Sequence, residues 1–72
     1  MENKNLTELG QKIKAIRHKL NLSQEQLAEK CHFDRTYISL LERGKRNPSY
    51  LNLLKLSKGL SMSLVELLKE EK

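Results

Sequence analysis

The apolar residues in the middle of the chain recur at the three- and four-residue spacings of α-helical faces. They form two short groups, Leu27, Ala28 and Cys31 and then Ile38 and Leu41. Few residues separate the groups, so the helices that carry them must cross steeply, and the small side chain of Ala28 lets them approach closely. This pattern predicts a helix-turn-helix over about residues 23–43.

Polar residues at the ends of these two helices support the same boundaries. Ser23 and Gln26 stand at the spacing of a capping box, in which each side chain accepts a hydrogen bond from the other residue's backbone N–H. Asp34 is suited to cap the second helix. Gly44 stands where a helix commonly ends in a left-handed residue.

Upstream of the motif, the pattern predicts a first helix over about residues 5–19, with Asn5 and Glu8 at capping spacing. Its apolar face consists of Leu9, Ile13, Ile16 and Leu20. Gly10 lies inside this helix at a cost of about 1 kcal/mol relative to Ala, which indicates close packing against a neighbouring helix. Asn21 is suited to the left-handed position after it.

Downstream of the motif, the pattern predicts two further helices. Ser49 is suited to cap a fourth helix over about residues 50–58, and Ser63 with Glu66 forms a second capping box for a fifth helix ending near residue 69. No segment alternates like a strand. The predicted fold class is therefore all-α, with five short helices.

The motif resembles a known family of DNA-binding proteins. The similarity to the phage repressor/Cro-type family, also called XRE-like, rests on Gln24, Leu27, Ala28, Ile38, Ser39, Glu42 and Gly44. The string RTYISLLERGKRN over residues 35–47 is similar to the controller proteins of restriction–modification systems. The resemblance covers nearly the whole chain and implies a five-helix, repressor-like DNA-binding domain.

The resemblance also implies a function. The protein would be a sequence-specific transcriptional regulator that binds double-stranded DNA as a homodimer on a two-fold symmetric operator. Two dimers would be able to occupy adjacent sites. A controller-like protein would activate or repress its own promoter and a neighbouring restriction gene. Two alternatives stay open: a phage or mobile-element repressor, and a protein-interaction or antitoxin-like module on the same scaffold.

Two structural features follow from the same resemblance. Arg17 and Glu42 would form a partly buried ion pair that ties the first helix to the third, whereas the alternative is two unrelated surface charges. His32 stands where the family usually has glycine, in a turn that requires left-handed backbone. Histidine tolerates that region better than most other non-glycine residues, yet we expect some strain.

The length and charge of the chain agree with a small DNA-binding domain. Its 72 residues allow one domain, residues 1–72, and its formal net charge is +5. Residues 30–46 contain five basic and two acidic side chains, a local charge of +3, whereas the chain from residue 60 onward has a local charge of −1. We therefore expect the second motif helix to be the face that binds a polyanion.

The sequence also indicates a compartment. No stretch approaches the ~18 apolar residues of a membrane span, and the first ten residues contain no apolar run typical of a signal peptide. Cys31 is the single cysteine, which excludes an internal disulfide and suits a reducing environment. We predict a cytoplasmic location.

Candidate DNA contacts lie on and beside the second motif helix. Arg35, Thr36, Tyr37, Ser39 and Arg43 are off its buried stripe, Lys45, Arg46 and Asn47 follow it in a loop, and Gln24 begins the preceding helix. We expect Gln24 to contact a phosphate and the loop residues to reach phosphates or a groove edge. Arg35 stands in the first turn, where its guanidinium can donate two hydrogen bonds to a guanine. A plain phosphate contact is the alternative for Arg35.

The last two helices contain more apolar residues than one core stripe needs. Tyr50, Leu53 and Leu56 are suited to the core. The remaining residues, which we assign to a dimer interface, are Leu51, Leu54, Leu64, Val65 and Leu68. The prediction is an isologous two-fold interface over about residues 49–69. A generously packed monomer core is the alternative.

The sequence offers no support for catalysis. Cys31, His32 and His18 do not make a metal site, because neighbouring residues at a helix end point to different sides and no fourth ligand is evident. The spacing of Ser39, His18 and Glu42 does not indicate a nucleophile with its base, and there is no glycine-rich phosphate loop. We therefore predict no enzymatic activity, no metal, no cofactor and no small-molecule ligand.

Overall fold

A computed structural model describes residues 3–69, which form five α-helices without a strand. The helices are α1 (Lys4–Lys19), α2 (Gln24–Cys31), α3 (Arg35–Glu42), α4 (Tyr50–Gly59) and α5 (Leu64–Leu68). α1 packs against α3 and α5, α2 packs against α3 and α4, and α4 contacts α5. The predicted all-α fold is confirmed, and α2 and α3 form the helix-turn-helix.

A single apolar cluster joins these helices. Its buried members are Ile13, Leu27, Ala28, Cys31, Ile38, Leu41, Leu56, Leu60 and Leu67. The predicted buried faces of α2 and α3 are confirmed, since all the residues predicted for them lie in this cluster: Leu27, Ala28, Cys31, Ile38 and Leu41. The cluster is small, as expected for a chain of this length.

The helix caps agree with the sequence in four places and differ in two. The boxes at Ser23 and Ser63 are both present, Ser49 caps α4, and Asn21 is left-handed with φ 58°. The cap of α1 is Asn3 rather than Asn5, because the Asn3 side chain accepts from the first free backbone N–H groups. Asp34 occupies the cap position of α3, but its side chain accepts no hydrogen bond from the helix.

Two apolar residues predicted for the core are instead exposed. Leu20 is 41% exposed because α1 ends at Lys19 and Leu20 belongs to the following turn. Tyr50 is 66% exposed because it is the first residue of α4 and lies at the margin of the core. The core under α4 is made by Leu56 and Leu60, with Leu53 partly buried.

Two helical glycines allow close contacts between helices. A β-carbon on Gly10 would lie 2.7 Å from the carbonyl oxygen of Glu42, so the predicted close packing of α1 is confirmed. Gly59 is the last residue of α4, where a β-carbon would collide with Sγ of Cys31. A side chain at either glycine would therefore push α1 away from α3 or α4 away from α2.

Candidate nucleic-acid interface

The turn between α2 and α3 sets the angle of the motif. His32 ends α2 in left-handed backbone, with φ 61° and ψ 42°. The N–H of Phe33 then donates to the carbonyl of Ala28 at 2.8 Å and closes the turn. The left-handed conformation expected at His32 is confirmed, and it costs free energy for any residue with a β-carbon.

The outer surface of α3 presents polar side chains to solvent. Arg35 and Thr36 are exposed on its first turn, and that turn contains no acidic residue. Arg43 is exposed at the other end, with Nε 3.4 Å from the carbonyl oxygen of Ser39, whose own side chain is half-buried. The N-terminal turn of α3 is thus accessible to solvent, and it carries the guanidinium group of Arg35.

Tyr37 differs from the other candidates on α3 because it is half-buried. Its ring packs edge-on against Phe33, with 4.8 Å between the ring centroids. Its hydroxyl oxygen accepts a hydrogen bond from Nδ2 of Asn52 at 3.0 Å. Tyr37 is therefore held against α4, and only its hydroxyl proton is left to donate to a further acceptor.

The loop after α3 carries the remaining basic candidates. Lys45, Arg46 and Asn47 are all exposed. Gly44 begins the loop in left-handed backbone with φ 72°, as predicted, and the N–H of Lys45 donates to the carbonyl of Leu40 at 2.9 Å. These two features direct the chain away from the end of α3 and leave the three side chains at the surface.

A buried ion pair fixes α3 to α1. Nε of Arg17 lies 2.6 Å from Oε2 of Glu42, and Nη2 of Arg17 donates to Oε1 at 3.1 Å. The side chains of Arg17 and Glu42 are only 8% and 3% exposed. Nη1 of Arg17 also donates to the carbonyl of Leu22 at 2.8 Å. The guanidinium and carboxylate therefore compensate each other where water is largely excluded.

Gln24 belongs to the same network. Its amide donates to Oε1 of Glu42 at 3.0 Å, and its side chain is half-buried. The sequence predicts a phosphate contact for Gln24, but one hydrogen of its amide group already donates to Glu42. Glu42 thus connects α3 to both α1 and α2, which holds the three helices at fixed angles.

Sequence reasoning missed Asn52 and the carbonyl of Leu22. Asn52 acts through a hydrogen bond to Tyr37 on another helix, and the carbonyl of Leu22 lies in the connection between α1 and α2, so helical periodicity carries no signal for either. An amide near the start of α4, the helix that follows the α3 loop, is the one hint that Asn52 offers.

The three residues considered for a metal do not come together. Cys31 is buried in the core, where burial raises the pKa of its thiol, and His32 is exposed. His18 lies beside the guanidinium of Arg17, with 3.3 Å between Nε2 and Nη2. Within residues 3–69 no cluster of His, Cys, Asp and Glu side chains is arranged to hold a metal ion. In the same range, every helix is too short or too polar to cross a membrane.

Curated relatives resemble the chain over most of its length. Control protein C.MunI from Mycoplasma is 51% identical over 59 residues, which are 81% of this chain and 80% of that protein. Control protein C.BamHI from Bacillus amyloliquefaciens is 52% identical over 60 residues, which are 82% of this chain and 74% of that protein.

A solved structure and a family model agree with these relatives. The crystal structure of the restriction–modification controller protein C.AhdI from Aeromonas hydrophila superposes with a TM-score of 0.88 at 40% identity, covering 90% of this chain and 98% of that one. A helix-turn-helix family model matches residues 13–67. Those residues include α2, α3, α4, most of α5 and the half of α1 that contains Arg17. The chain belongs to the XRE-like helix-turn-helix family.

Proposed function

We propose that the protein is a restriction–modification controller: a sequence-specific transcriptional regulator that binds double-stranded DNA as a homodimer in the cytoplasm. The observation that carries the proposal is the exposed first turn of α3, with Arg35 and Thr36, on a helix that Glu42 ties to α1 and α2. The names of the relatives, which are control proteins, support the controller role.

In this proposal α3 enters the major groove. The first turn of a recognition helix is the part aimed at base edges, so Arg35 reads bases and Thr36 and Ser39 add contacts beside it. Arg43, Lys45, Arg46 and Asn47 bind phosphates along the groove wall. Tyr37 donates its hydroxyl proton to the DNA. Its ring is packed against Phe33 and does not take part in the contact.

α2 lies across the backbone of the DNA. The N-terminal end of a helix attracts a phosphate, and Gln24 is the first residue of α2. One amide hydrogen of Gln24 donates to Glu42, which leaves its second hydrogen for the DNA. A single contact at Gln24 would thus connect the phosphate to the network that positions α3.

The dimer is formed by α4 and α5. Leu51, Val65 and Leu68 are 67%, 77% and 49% exposed, a large apolar surface for so small a domain. Leu54 and Leu64 are half-buried, and Leu64 already packs against the core, so these two contribute at the edge of the interface. A second copy of the chain is the occupant we propose, since a dimer of helix-turn-helix units matches a two-fold symmetric operator.

Regulation follows from protein concentration. Dimerisation and the filling of adjacent operator sites by two dimers both increase as the protein accumulates. The protein would then activate or repress its own promoter and a neighbouring restriction gene. The neighbouring reading frames test this proposal: genes for a nuclease and a methyltransferase there would support it, and phage genes would instead indicate a phage or mobile-element repressor.

The first experiment selects bound duplexes from a random DNA pool and then titrates the selected sequence. We expect a two-fold symmetric site with half-site centres ~34–36 Å apart. Arg35→Ala should cost about 1–3 kcal/mol per contacted base pair and abolish the preference at one position in each half-site. Lys45→Ala should weaken all sequences about equally and reduce the salt slope by about one for each phosphate that is no longer bound.

Different contradicting results would reject different parts of the proposal. If no duplex is enriched, the protein-interaction module becomes the better description. If Arg35→Ala weakens every sequence alike, Arg35 contacts a phosphate and is not a base reader. Specificity then has to come from Thr36, Tyr37, Ser39 or Arg46. Lys14→Ala, a change on the exposed surface of α1, is the matched control for the loss of one positive charge.

A further inference from the structure

One lysine reaches from α1 to the C-terminal end of α5. Nζ of Lys12 donates to the carbonyl of Glu66 at 3.1 Å and also donates to the carbonyl of Lys69. The last carbonyls of a helix have no partner within the helix and carry a partial negative charge. An ammonium group supplies both the missing hydrogen bonds and a compensating positive charge. Lys12 of α1 therefore acts as a C-terminal cap of α5.

α5 depends on such attachments because it is only five residues long. Isolated helices shorter than ~12–15 residues are marginal in water, so the position of α5 must come from its contacts with the rest of the domain. Its attachments include Leu67 in the core, the capping box of Ser63 and Glu66, and Lys12 at the far end.

The two residues whose carbonyls Lys12 holds each follow an exposed apolar residue in the chain. Glu66 follows Val65, and Lys69 follows Leu68. Val65 and Leu68 are 77% and 49% exposed, and both belong to the interface proposed above. Lys12 therefore holds the backbone one residue beyond each of them, although it is not itself part of the apolar surface.

We propose that Lys12 is a positioning residue for dimerisation. Its ammonium fixes the end of α5 at the angle at which Val65 and Leu68 meet the second copy. The inference rests on the proposed dimer and adds a residue on α1, outside the predicted interface of residues 49–69. Without the ammonium, the end of α5 loses its partner for two carbonyls and the interface has to be ordered when the dimer forms.

The experiment measures the dimer dissociation constant by sedimentation equilibrium. Lys12→Met removes the charge and keeps most of the aliphatic stem, Lys12→Arg keeps a donor, and Lys14→Met is the matched loss of charge on the exposed face of α1. We expect Lys12→Met to raise the dissociation constant about 3- to 10-fold, while Lys12→Arg and Lys14→Met stay within about twofold of the unsubstituted protein.

Two outcomes overturn the proposal. An unchanged dissociation constant for Lys12→Met shows that the cap does not position the interface, and an equal increase for Lys14→Met shows a general charge effect. Val65→Asp distinguishes this inference from the proposed function. If Val65→Asp gives folded monomers but Lys12→Met stays fully dimeric, only the role of Lys12 is wrong. If Val65→Asp stays dimeric, the proposed interface is wrong as well.

Discussion

Within residues 3–69, three residues with side chains adopt left-handed backbone at the ends of helices. Asn21, His32 and Ser61 have φ of 58°, 61° and 59°. Asparagine adopts this conformation more readily than most residues because its short amide bonds to the nearby backbone. Histidine has less compensation, so glycine should relieve more strain at His32, in the turn of the motif, than at Asn21.

Glycine in place of His32 should stabilise the turn between α2 and α3. His32→Gly removes the β-carbon that makes left-handed backbone costly, but it also increases the freedom of the unfolded chain. The balance should raise the free energy of unfolding by about 0.5–1 kcal/mol. Urea unfolding followed by circular dichroism measures this change.

Two controls test the explanation. His32→Val should destabilise the protein, because a β-branched residue is a severe outlier in this region. Asn21→Gly should have a smaller effect than His32→Gly, although its φ is nearly the same. Unchanged or reduced stability in His32→Gly would show that the turn is not strained.

At the scale of the helices, the sequence predicted what depends on neighbours in the chain. Periodicity placed the buried faces of α2 and α3, and the spacing of Ser and Gln or Glu placed two capping boxes. The errors at Leu20 and Tyr50 lie at helix ends, where a shift of one residue turns a side chain from core to solvent. The cap of α1 moved for a similar reason, since Asn3 and Asn5 are both suitable and only the fold decides between them.

The candidate site was predicted less completely than the fold. The exposure of Arg35 and Thr36 follows from the helical wheel of α3. The hydrogen bonds of Tyr37 with Asn52 and of Gln24 with Glu42 join residues 15 and 18 positions apart. Such pairs depend on how the helices are packed, so no local pattern could identify them.

Removal of the Glu42 carboxylate should strongly destabilise the packing of α3. Glu42→Ala leaves the guanidinium of Arg17 buried without its carboxylate, which costs about 3–5 kcal/mol when a pair is fully buried. In a domain of this size each 1 kcal/mol lowers the melting temperature by about 4–8 °C. Thermal unfolding should therefore show a large decrease, or a protein already unfolded at room temperature.

Glu25→Ala is the matched control, because Glu25 is an exposed glutamate in the first turn of α2. Its loss should cost less than about 1 kcal/mol, from a weaker interaction with the helix end. Replacing both partners, as in Arg17→Met with Glu42→Leu, should recover part of the loss, since no charge is then left buried. Equal melting temperatures for Glu42→Ala and Glu25→Ala would contradict the structural role of the pair.

For the whole molecule, the notable property is the separation of two surfaces. The basic candidates for DNA contact belong to α3 and the loop after it. Of the large apolar residues that are exposed within residues 3–69, Leu20 follows α1 and the others belong to α4 and α5, namely Tyr50, Leu51, Val65 and Leu68. The proposed DNA-binding surface and the proposed dimer interface therefore lie on different helices. A substitution in one surface should leave the other chemically intact.

The corresponding prediction uses Leu51→Asp. The side chain is 67% exposed, so the variant should fold, but the charge should prevent the dimer and give a monomer in sedimentation. A dimer that contacts ~6–10 phosphates should lose about 10³–10⁵ in affinity between 50 and 200 mM salt, and the monomer should show about half that salt slope.

Leu20→Asp is the control for this experiment, since Leu20 is 41% exposed but lies at the end of α1. It should remain dimeric and keep the full salt slope. A dimeric Leu51→Asp would place the interface on another surface, and a flat salt response of the unsubstituted protein would contradict DNA binding altogether.

The position of Glu42 also bears on protein engineering. Residues 23–44 look like a portable cassette, yet their only buried carboxylate among the described residues is neutralised by Arg17 from a different helix. A chimera that grafts this segment onto a scaffold without an arginine at the equivalent point would import an uncompensated anion. Exchange of DNA specificity between relatives should therefore replace surface positions of α3 one by one, or transfer α1 along with the motif.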